Sequence, residues 1–473
     1  MLDGSGPYGA YLSRGKSRVE NGKEINVNAY RKLLAKAVRV LVPGILVLLS
    51  SPGALRAQQF LNVDCTGANP FAYPSINAAL PNATPGTFIL VTGPCTENVS
   101  LNGQNALNLG AYFGQTATIN GAISINNSQN LFLYGLNVTN TAGDGITVSN
   151  SSRGISLNVC SSNGNAGLGL RVNGGSNVII GASGAFSHNA GGGMNIDGQS
   201  QVGLVAWAGP VDISNNTGPG VWESGSSLFE TLGATNITNN VSGPGTNPGF
   251  GIELVGGARA QVGGLFGPNT VAGNQAGGAF LQENSEISFW SIGQPNLIQG
   301  NGPVGVLAGL GSQVTFYDIS GPLGAQITDH TSAGVDIYAN SQVFFHGTNE
   351  VLRNGTVADP RSAGIRVDGN SEAFLRGGQI SGNSGPGVLV LVNSSADFSG
   401  VSFSGNNGVI ACDSSSTMVS DLTGPSSTPP AGVSCRTPHG LGGRQITKTQ
   451  PLVPDWSAQK AQHDRYAKLA VKH

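Results

Sequence analysis

A short unit, Gly-Φ-x-Φ, in which Φ is an apolar residue, recurs along the middle of the chain and constrains its fold most strongly. Copies begin at Gly145, Gly169, Gly193, Gly220, Gly251, Gly278, Gly305, Gly334, Gly364, Gly387 and Gly408. Successive copies are 21 to 31 residues apart. This period is typical of solenoids, in which each unit stacks on its neighbours to bury its apolar side. The sequence therefore predicts one long repetitive body.

The two Φ positions alternate with a variable residue, which is the period of a β-strand with one face inward and one face outward. The pairs are Ile146/Val148, Leu170/Val172, Met194/Ile196, Val221/Glu223, Ile252/Leu254, Ala279/Leu281, Val306/Ala308, Val335/Ile337, Ile365/Val367, Val388/Val390 and Val409/Ala411. Glu223 breaks the apolar pattern. We expect a local bulge to turn it outward, and the alternative is an inward acid with a perturbed pKa.

Two further elements recur in each coil. Alternating strands that end in a large apolar residue follow a polar turn at Asn284–Phe289, Gly311–Phe316, Asn340–Phe345, Asn370–Leu375 and Asn393–Phe398. Asparagine stands four residues before the coil-opening glycine at positions 165, 189, 216, 274, 301 and 383. Asparagine tolerates left-handed backbone angles and can bond to the same amide of the next coil, and glycine relieves crowding at the corner. These registers predict an aromatic column and a ladder of amides.

With these three repeats, the chain resembles the right-handed parallel β-helix superfamily, the pectate-lyase-like fold. The resemblance extends over about residues 64–422. It includes the entry segment, where Ser75–Leu80, Gly86–Val91 and Glu97–Val99 look like the family's capping helix, first strand and following turn. It implies an all-β solenoid of about 11–13 coils. Because the superfamily contains lyases, hydrolases, epimerases and proteins without known activity, it implies no single function.

We predict three regions: an N-terminal extension and signal peptide at 1–57, the β-helix at 58–422, and a linker with a C-terminal tail at 423–473. Basic residues precede an apolar run at 40–49 and an Ala-Leu-Arg-Ala sequence that ends at Ala57. This pattern is typical of an export signal, with cleavage expected after Ala57. The run is shorter than the roughly 20 residues of a spanning helix. We therefore expect a secreted, periplasmic or cell-surface protein without a membrane span after signal removal.

Five cysteines fit an oxidising compartment. Cys65 and Cys95 flank the first turn of the body, and Cys412 and Cys435 flank its last, so each pair is a candidate disulfide. Cys160 is left over, in a strand-like run where a buried small hydrophobe is expected. No Cys-x-x-Cys or His-x-x-x-His spacing occurs, and we expect neither a metal nor a cofactor.

Charge is segregated along the chain and argues against a nucleic-acid partner. Residues 58–445 contain 9 basic and 20 acidic residues, a formal charge of −11, and no lysine between Lys36 and Lys448. A surface that follows a phosphate backbone needs clustered cations. A polysaccharide is the partner that we expect.

The resemblance implies that reactive groups lie on an outward strand face. The repeat places Asp336 and Tyr338 beside Arg366 and Asp368 on one such face, with the two carboxylates roughly 8 Å apart. That separation suits an inverting glycosidase. Tyr338 and Trp222 are candidates to stack on a sugar ring. The alternative is that Arg366 only bridges Asp336 and Asp368 as an ion-pair ladder.

Other features do not add catalytic residues. Asp329 and His330 lie in a turn, where such a pair is usually solvated. The paired-Asp and Gly-His motifs of polygalacturonases and the Asp-Pro-His-Asp motif of mannuronan epimerases are not found, and the lysine used by several β-helix lyases is missing from the body. We therefore expect a carbohydrate-binding or adhesive surface without assured catalysis. The alternatives are a polysaccharide hydrolase or lyase that uses Asp336, Asp368 and Arg366, and a structural solenoid of a cell envelope.

Overall fold

The computed structural model describes residues 19–20, 23–24 and 58–420, except 113, 245–246, 292, 319–323, 357–358 and 360–361. The chain divides into two units, Met1–Ala57 and Gln58–His473. In the first unit, the short strands Val19–Glu20 and Lys23–Glu24 pair antiparallel. The predicted export signal at residues 31–57, the predicted linker and tail at 423–473, and Cys435 lie outside the described residues.

The second unit is a parallel β-helix, because its strands repeat in the order A, B, C along the chain and each pairs in parallel with its counterpart one coil later. Sheet A contains Phe60–Asp64, Phe88–Thr92, Asn108–Ala111, Phe132–Tyr134, Ile155–Asn158, Asn177–Ile180, Gln201–Leu204, Leu228–Thr231, Arg259–Gly264, Glu286–Ser291, Gln313–Asp318, Gln342–His346, Glu372–Arg376, Ser395–Ser399 and Thr417–Ser420. This confirms the predicted all-β solenoid.

The other two sheets complete each coil. Sheet B contains Pro94–Cys95, Ala117–Asn120, Leu136–Thr139, Ser161–Ser162, Gly184–Ala185, Val211–Ser214, Thr235–Thr238, Asn269–Ala272, Asn296–Gln299, Gln326–Thr328, Glu350–Leu352, Gln379–Ser381 and Ser402–Ser404. Sheet C contains Val99–Asn102, Ile123–Asn126, Ile146–Ser149, Leu170–Val172, Met194–Ile196, Val221–Glu223, Phe250–Leu254, Gly277–Leu281, Val304–Ala308, Ala333–Ile337, Ala363–Val367, Val388–Val390 and Ile410–Cys412.

The entry to the β-helix is a short helix, Ile76–Ala79, followed by a 3₁₀ turn, Leu80–Asn82. The side chain of Ser75 accepts a hydrogen bond from the Ala78 amide, and Glu97 accepts hydrogen bonds from the Ile76 and Asn77 amides. These acceptors satisfy amides that the helix itself leaves unpaired. The capping helix predicted from the entry segment is confirmed. None of the helices in the described part of the chain is long and apolar enough to cross a bilayer.

The Gly-Φ-x-Φ units form sheet C, and their Φ side chains fill the core from Ile146 to Val390. Two details differ from the prediction. In the last unit the register is shifted by one residue, so that Ile410 and Cys412, rather than Val409 and Ala411, pair with Val388 and Val390. Gly408 has a φ of +97°, and one more residue lies between this glycine and the first inward residue of its strand than in the preceding unit.

The second correction concerns Glu223, which does not turn outward. It pairs in register between Ile196 and Leu254 at an inward position and is fully buried. The strand continues without a bulge, because parallel pairing on both sides fixes the alternation of its side chains. Glu223 is therefore an inward, buried acid, which was the alternative interpretation of the sequence.

The aromatic column of sheet A is confirmed. The rings of Phe289 and Phe316 are 5.2 Å apart, and those of Phe316 and Phe345 are 4.5 Å apart, in both cases stacked. Leu375 and Phe398 continue the buried column in the next two coils. Like residues stack on like because successive coils repeat at about 4.8 Å.

The amide ladder is also confirmed and is longer than predicted. Side-chain Nδ2–Oδ1 hydrogen bonds of 2.7–3.1 Å link Asn165, Asn189, Asn216, Asn240, Asn274 and Asn301 in one series, and Asn354, Asn383 and Asn406 in another. His330 occupies the position between the two series. It is buried, which corrects the expectation that it is solvated, while Asp329 beside it pairs with Arg353.

The left-handed backbone angle lies one residue before each ladder position, not on the ladder asparagines. Residues in this conformation include His188, Asn215, Asp329 and Gly382. The turn at this residue directs the following side chain inward, where its amide meets those of the adjacent coils. This also explains why residue types as different as histidine, asparagine and glycine precede the ladder.

The cysteines close the first coil and reinforce the last. Cys65 and Cys95 form the predicted disulfide, with their Cα atoms 5.1 Å apart. Cys412 is disulfide-bonded, and its partner lies outside the described residues. Cys160 is free and buried, and burial raises the pKa of its thiol to about 11. It is therefore a core residue, as predicted.

Candidate ligand-binding site

The outward face of sheet C carries one vertical column of side chains, because the residue between the two Φ positions of each unit points away from the core. In register, the column contains Thr147, Arg171, Asn195, Trp222, Glu253, Phe280, Leu307, Asp336, Arg366 and Leu389. Adjacent members are about 4.8 Å apart along the β-helix axis. Residues that are far apart in sequence thus become neighbours in one strip.

A cleft of about 260 Å³ opens at the Arg171–Trp222 part of this strip. Asp144, Gly167, Leu168, Arg171, Gly191, Met194, Asn195, Pro219, Trp222 and Asn247 line it. Trp222 is partly exposed. An aromatic side chain beside a few fixed polar groups is the usual composition of a small-ligand site.

The charged groups of the cleft are held by each other. Arg171 Nε donates a hydrogen bond of 2.6 Å to Asp144 Oδ2. The other carboxylate oxygen of Asp144 accepts the Leu168 amide at 2.8 Å. One cation and one anion therefore balance, and both side chains are fixed in position.

Asn195, which lines the cleft, has a buried side-chain oxygen without a hydrogen-bond partner. The residue is only 1% exposed, and its Oδ1 atom has no hydrogen-bond partner. An unpaired buried acceptor costs about 1–3 kcal/mol, so native structures rarely retain one without a reason. A ligand that donates a hydrogen bond to this oxygen would remove that cost.

Glu253 lies next to Trp222 in the column and has Phe280 on its other side. The ring of Phe280 stacks on that of Phe250, with their centroids 4.9 Å apart. Glu253 is 7% exposed, and its Oε2 atom has no hydrogen-bond partner. Burial raises the pKa of this carboxyl to about 7. The strip therefore contains a second buried oxygen without a partner, on a carboxyl group that is partly protonated near neutral pH and can then donate as well as accept.

The structure brings Asp336, Arg366 and Asp368 together, four and five coils beyond Trp222. Arg366 donates to Asp336 Oδ2 at 3.2 Å and to Asp368 Oδ2 at 2.6 Å. The guanidinium occupies the space between the two carboxylates, in which an inverting glycosidase would hold its water. The geometry thus has the form of an ion-pair ladder.

Tyr338 is separated from that trio. Its ring lies over Gly309 of the preceding coil, where an added Cβ atom would collide with it, and its hydroxyl accepts a hydrogen bond from Gln282 at 3.3 Å. Trp222 and Tyr338 therefore do not form one stacking platform. Asp144 is the cleft residue that sequence reasoning missed, whereas Asn195 and Glu253 stand at outward positions of the repeat that were not singled out. The repeat alignment did contain one signal for Glu253, since aromatic residues occupy the same position in both adjacent units.

One group of potential metal ligands occurs among the residues that the structure describes: Cys65, Cys95 and Glu97. The two sulfur atoms are joined in the disulfide, and Glu97 already accepts two amides of the entry helix. This donor set does not fit a metal ion.

Comparison with known proteins gives little beyond the fold. No family model and no curated protein matches the chain. Matches among solved structures include the A-module of the mannuronan C-5 epimerase AlgE6 from Azotobacter vinelandii, at 14% identity and a TM-score of 0.36, covering 76% of this chain and 93% of that one. The receptor-binding tailspike of bacteriophage Det7 matches at 12% identity and a TM-score of 0.40, covering 77% of each chain.

A third match is a mannuronic acid-specific polysaccharide family 6 lyase from human gut microbiota, at 10% identity and a TM-score of 0.23, covering 87% of this chain and 95% of that one. All three TM-scores are below 0.5, so these similarities carry no inference about ligand or activity. What the strand order and the parallel pairing show is the fold, a parallel β-helix.

Proposed function

We propose that this protein is a secreted or cell-surface β-helix protein that binds a carbohydrate in the cleft around Trp222. The observation that carries the proposal is the buried, unpartnered Oδ1 atom of Asn195 beside a partly exposed indole ring. A sugar offers both complements, since its C–H face packs on an aromatic ring and its hydroxyls donate hydrogen bonds. The fixed Arg171–Asp144 pair supplies further donors and acceptors at the rim of the cleft.

Export is supported by two observations. The Cys65–Cys95 disulfide is of a kind that persists in oxidising compartments. The basic residues and apolar run before Ala57 have the order of an export signal.

The proposal is tested by screening the purified protein on a glycan array and measuring the affinity of the best ligand in solution. We expect Trp222→Ala to weaken binding at least about tenfold, because a central aromatic contact commonly contributes more than about 1.4 kcal/mol. Trp207→Ala is the matched control, since Trp207 is an exposed tryptophan next to sheet A, and its affinity should remain that of the wild type. Unchanged affinity in Trp222→Ala, with the fold intact by circular dichroism, would contradict the site.

Cleavage of a polysaccharide is the second candidate function, because Asp336 and Asp368 are adjacent on one outward face; it requires that Arg366 leave the space between the two carboxylates. Its test is incubation with plant, algal and bacterial polysaccharides, followed by assays for reducing ends and unsaturated products. If turnover occurs, Asp336→Asn and Asp368→Asn should each reduce it by orders of magnitude. Absence of both products retires this candidate. Absence of any glycan binding as well would leave a structural role in a cell envelope.

A further inference from the structure

Arg171 lines the cleft around Trp222, and its ion pair occupies only a small part of its guanidinium group. Among the residues that the structure describes, its one hydrogen bond runs from Nε to Asp144 Oδ2, at 2.6 Å. A guanidinium carries five N–H donors, so the four on the two Nη atoms have no partner in this part of the chain. The side chain is 35% exposed, and a ligand in the cleft can therefore reach these donors.

Asp144 is itself held by the corresponding turn of the next coil. Its Oδ1 atom accepts a hydrogen bond from the Leu168 amide at 2.8 Å. Gly167 leaves room for this carboxylate, since an added Cβ atom would lie 2.2 Å from Asp144 Oδ1. The carboxylate thus has one oxygen on the backbone and the other on Arg171 Nε, which restricts the orientation of the guanidinium.

The terminal edge of a guanidinium recognises a particular arrangement of acceptors. Nη1 and Nη2 present two parallel N–H groups in one plane, and this fork matches two oxygens that lie side by side. A saccharide offers such a pair in a carboxylate or in two hydroxyl groups on neighbouring carbons. A lysine ammonium is a point charge without this geometry.

The register of sheet C places this edge beside the other binding groups of the cleft. Arg171 pairs with Asn195, and Asn195 pairs with Trp222, so that Asn195 lies between the other two. Asn195 Oδ1 is a buried acceptor without a partner, whereas the guanidinium of Arg171 contains donors only. A saccharide on Trp222 can therefore donate a hydrogen bond to Asn195 and accept two from Arg171.

We propose that Arg171 determines the specificity of the cleft by binding two adjacent oxygens of the saccharide through Nη1 and Nη2, and that Asp144 is its positioning residue. This inference rests on the proposed carbohydrate binding and names the feature of the sugar that the cleft recognises. The ion pair with Asp144 persists in the complex, because the ligand uses donors that the pair leaves unused.

The test is isothermal titration calorimetry on the full-length protein, with cello-, manno- and xylo-oligosaccharides and oligogalacturonates as probes. Arg171→Lys keeps the charge and removes the fork, and should weaken the binding that depends on Trp222 at least about tenfold. Arg259→Lys is the matched control, since Arg259 pairs with Glu286 and does not line the cleft, and its affinity should equal that of the wild type. Circular dichroism verifies that each variant is folded.

Asp144→Asn tests the positioning role, because an amide has one acceptor oxygen where the carboxylate serves two donors. It should weaken binding at least about threefold in the wild-type protein and cause no further loss in the Arg171→Lys background. Equal losses in both backgrounds would show that Asp144 acts on the fold of the cleft and not through Arg171, which would overturn its positioning role.

Two changes to the ligand identify the source of the oxygens. If a carboxylate supplies them, reduction of the oligogalacturonate carboxyl groups to hydroxymethyl groups removes the part of the affinity that depends on Arg171. If two hydroxyls supply them, replacing one of the pair by hydrogen removes it. Either result supports the inference. An affinity of Arg171→Lys within about twofold of the wild type, while Trp222→Ala still weakens binding, would overturn it and leave the proposed function intact. If no probe binds at the Trp222 cleft, the proposed function itself fails.

Discussion

Glu223 occupies an inward position that is apolar in both adjacent coils, where Ile196 and Leu254 stand. Burial raises the pKa of its carboxyl well above the usual range, against smaller opposing effects of the backbone amides of Arg259 and Phe229. Neither carboxyl oxygen makes a hydrogen bond of ordinary geometry. The folded protein therefore holds this proton over a pH range in which the unfolded chain releases it.

A residue with this behaviour makes stability depend on pH in a known direction. Its contribution is present below the ordinary pKa of 4.5 and is lost as the pH rises above that value. Because glutamine does not titrate, Glu223→Gln should raise the free energy of unfolding by at least about 1 kcal/mol at pH 8 and should change it little at pH 4.5. Chemical denaturation at the two pH values measures this. Glu283→Gln, an exchange at an exposed acid, is the control. An equal effect of Glu223→Gln at both pH values would contradict the burial of a proton at this site.

His330 is the second residue whose type differs from its neighbours in the stack, because it replaces an asparagine of the amide ladder. Its Nε2 atom lies 3.1 Å from the Ile298 carbonyl, the position that Asn354 Nδ2 takes against Ile327 one coil later. An imidazole has no counterpart of the Oδ1 atom that receives two hydrogen bonds from the preceding ladder residue elsewhere. Burial also lowers the pKa of His330, so its contribution to stability is lost as the pH falls below 6.5.

We therefore expect His330→Asn to join the two series of the ladder and to stabilise the protein by about 1 kcal/mol, with a larger gain at pH 5 than at pH 8. Thermal or chemical denaturation at both pH values measures the effect. The reverse exchange in the intact series, Asn274→His, should destabilise. A loss of stability in His330→Asn at pH 5 would show that the packing of the ring matters more than the missing acceptor.

At the scale of the strand and the corner, the coil-opening glycines from Gly145 to Gly387 are required by close approach, whereas Gly408 has a left-handed angle. Gly364 illustrates this, since an added Cβ atom would lie 2.6 Å from the Gly387 carbonyl oxygen and 2.9 Å from Asn383 Nδ2. Neither atom can move without disturbing the next coil or the ladder. The recurrent glycines in the sequence therefore mark the positions where successive corners are in tight contact.

Gly364→Ala should accordingly destabilise the protein by about 1–3 kcal/mol, the usual cost of inserting a methyl group into a packed site. Gly203→Ala is the matched control, because no atom lies within 4 Å of its added Cβ position on the outward face of sheet A. That control should change stability by no more than about 0.5 kcal/mol. Equal midpoints for the two variants in a denaturant titration would refute the close-approach explanation.

The strands, the aromatic column and the ladder could be predicted because each recurs many times, so that one irregular coil does not hide the pattern. Departures from the repeat in single coils could not be predicted in this way. Asn240 escaped prediction because eleven residues separate it from Gly251, and the shift at Ile410 depends on a single left-handed glycine. Glu223 was assigned to the wrong face, since residue type outweighed register in the prediction, whereas pairing on both sides decides the orientation in the folded chain.

At the scale of the whole molecule, stacking in register creates the candidate site. Arg171, Asn195, Trp222 and Glu253 are separated by 24 to 31 residues in sequence, yet they follow one another in a single column. The sequence alone predicted an outward strand face and the adjacency of Asp336, Arg366 and Asp368. It could not predict the cleft, because Asp144, Pro219 and Asn247, which help to line it, lie outside the strands of the repeat.

The central claim, that this column binds a carbohydrate at Trp222, is tested most directly by a crystal structure of the protein with its best-binding oligosaccharide. We expect a sugar ring against the Trp222 indole and a hydroxyl group within hydrogen-bond distance of Asn195 Oδ1. A saccharide bound only elsewhere, for example across Asp336, Arg366 and Asp368, with the Trp222 cleft holding water alone, would contradict it.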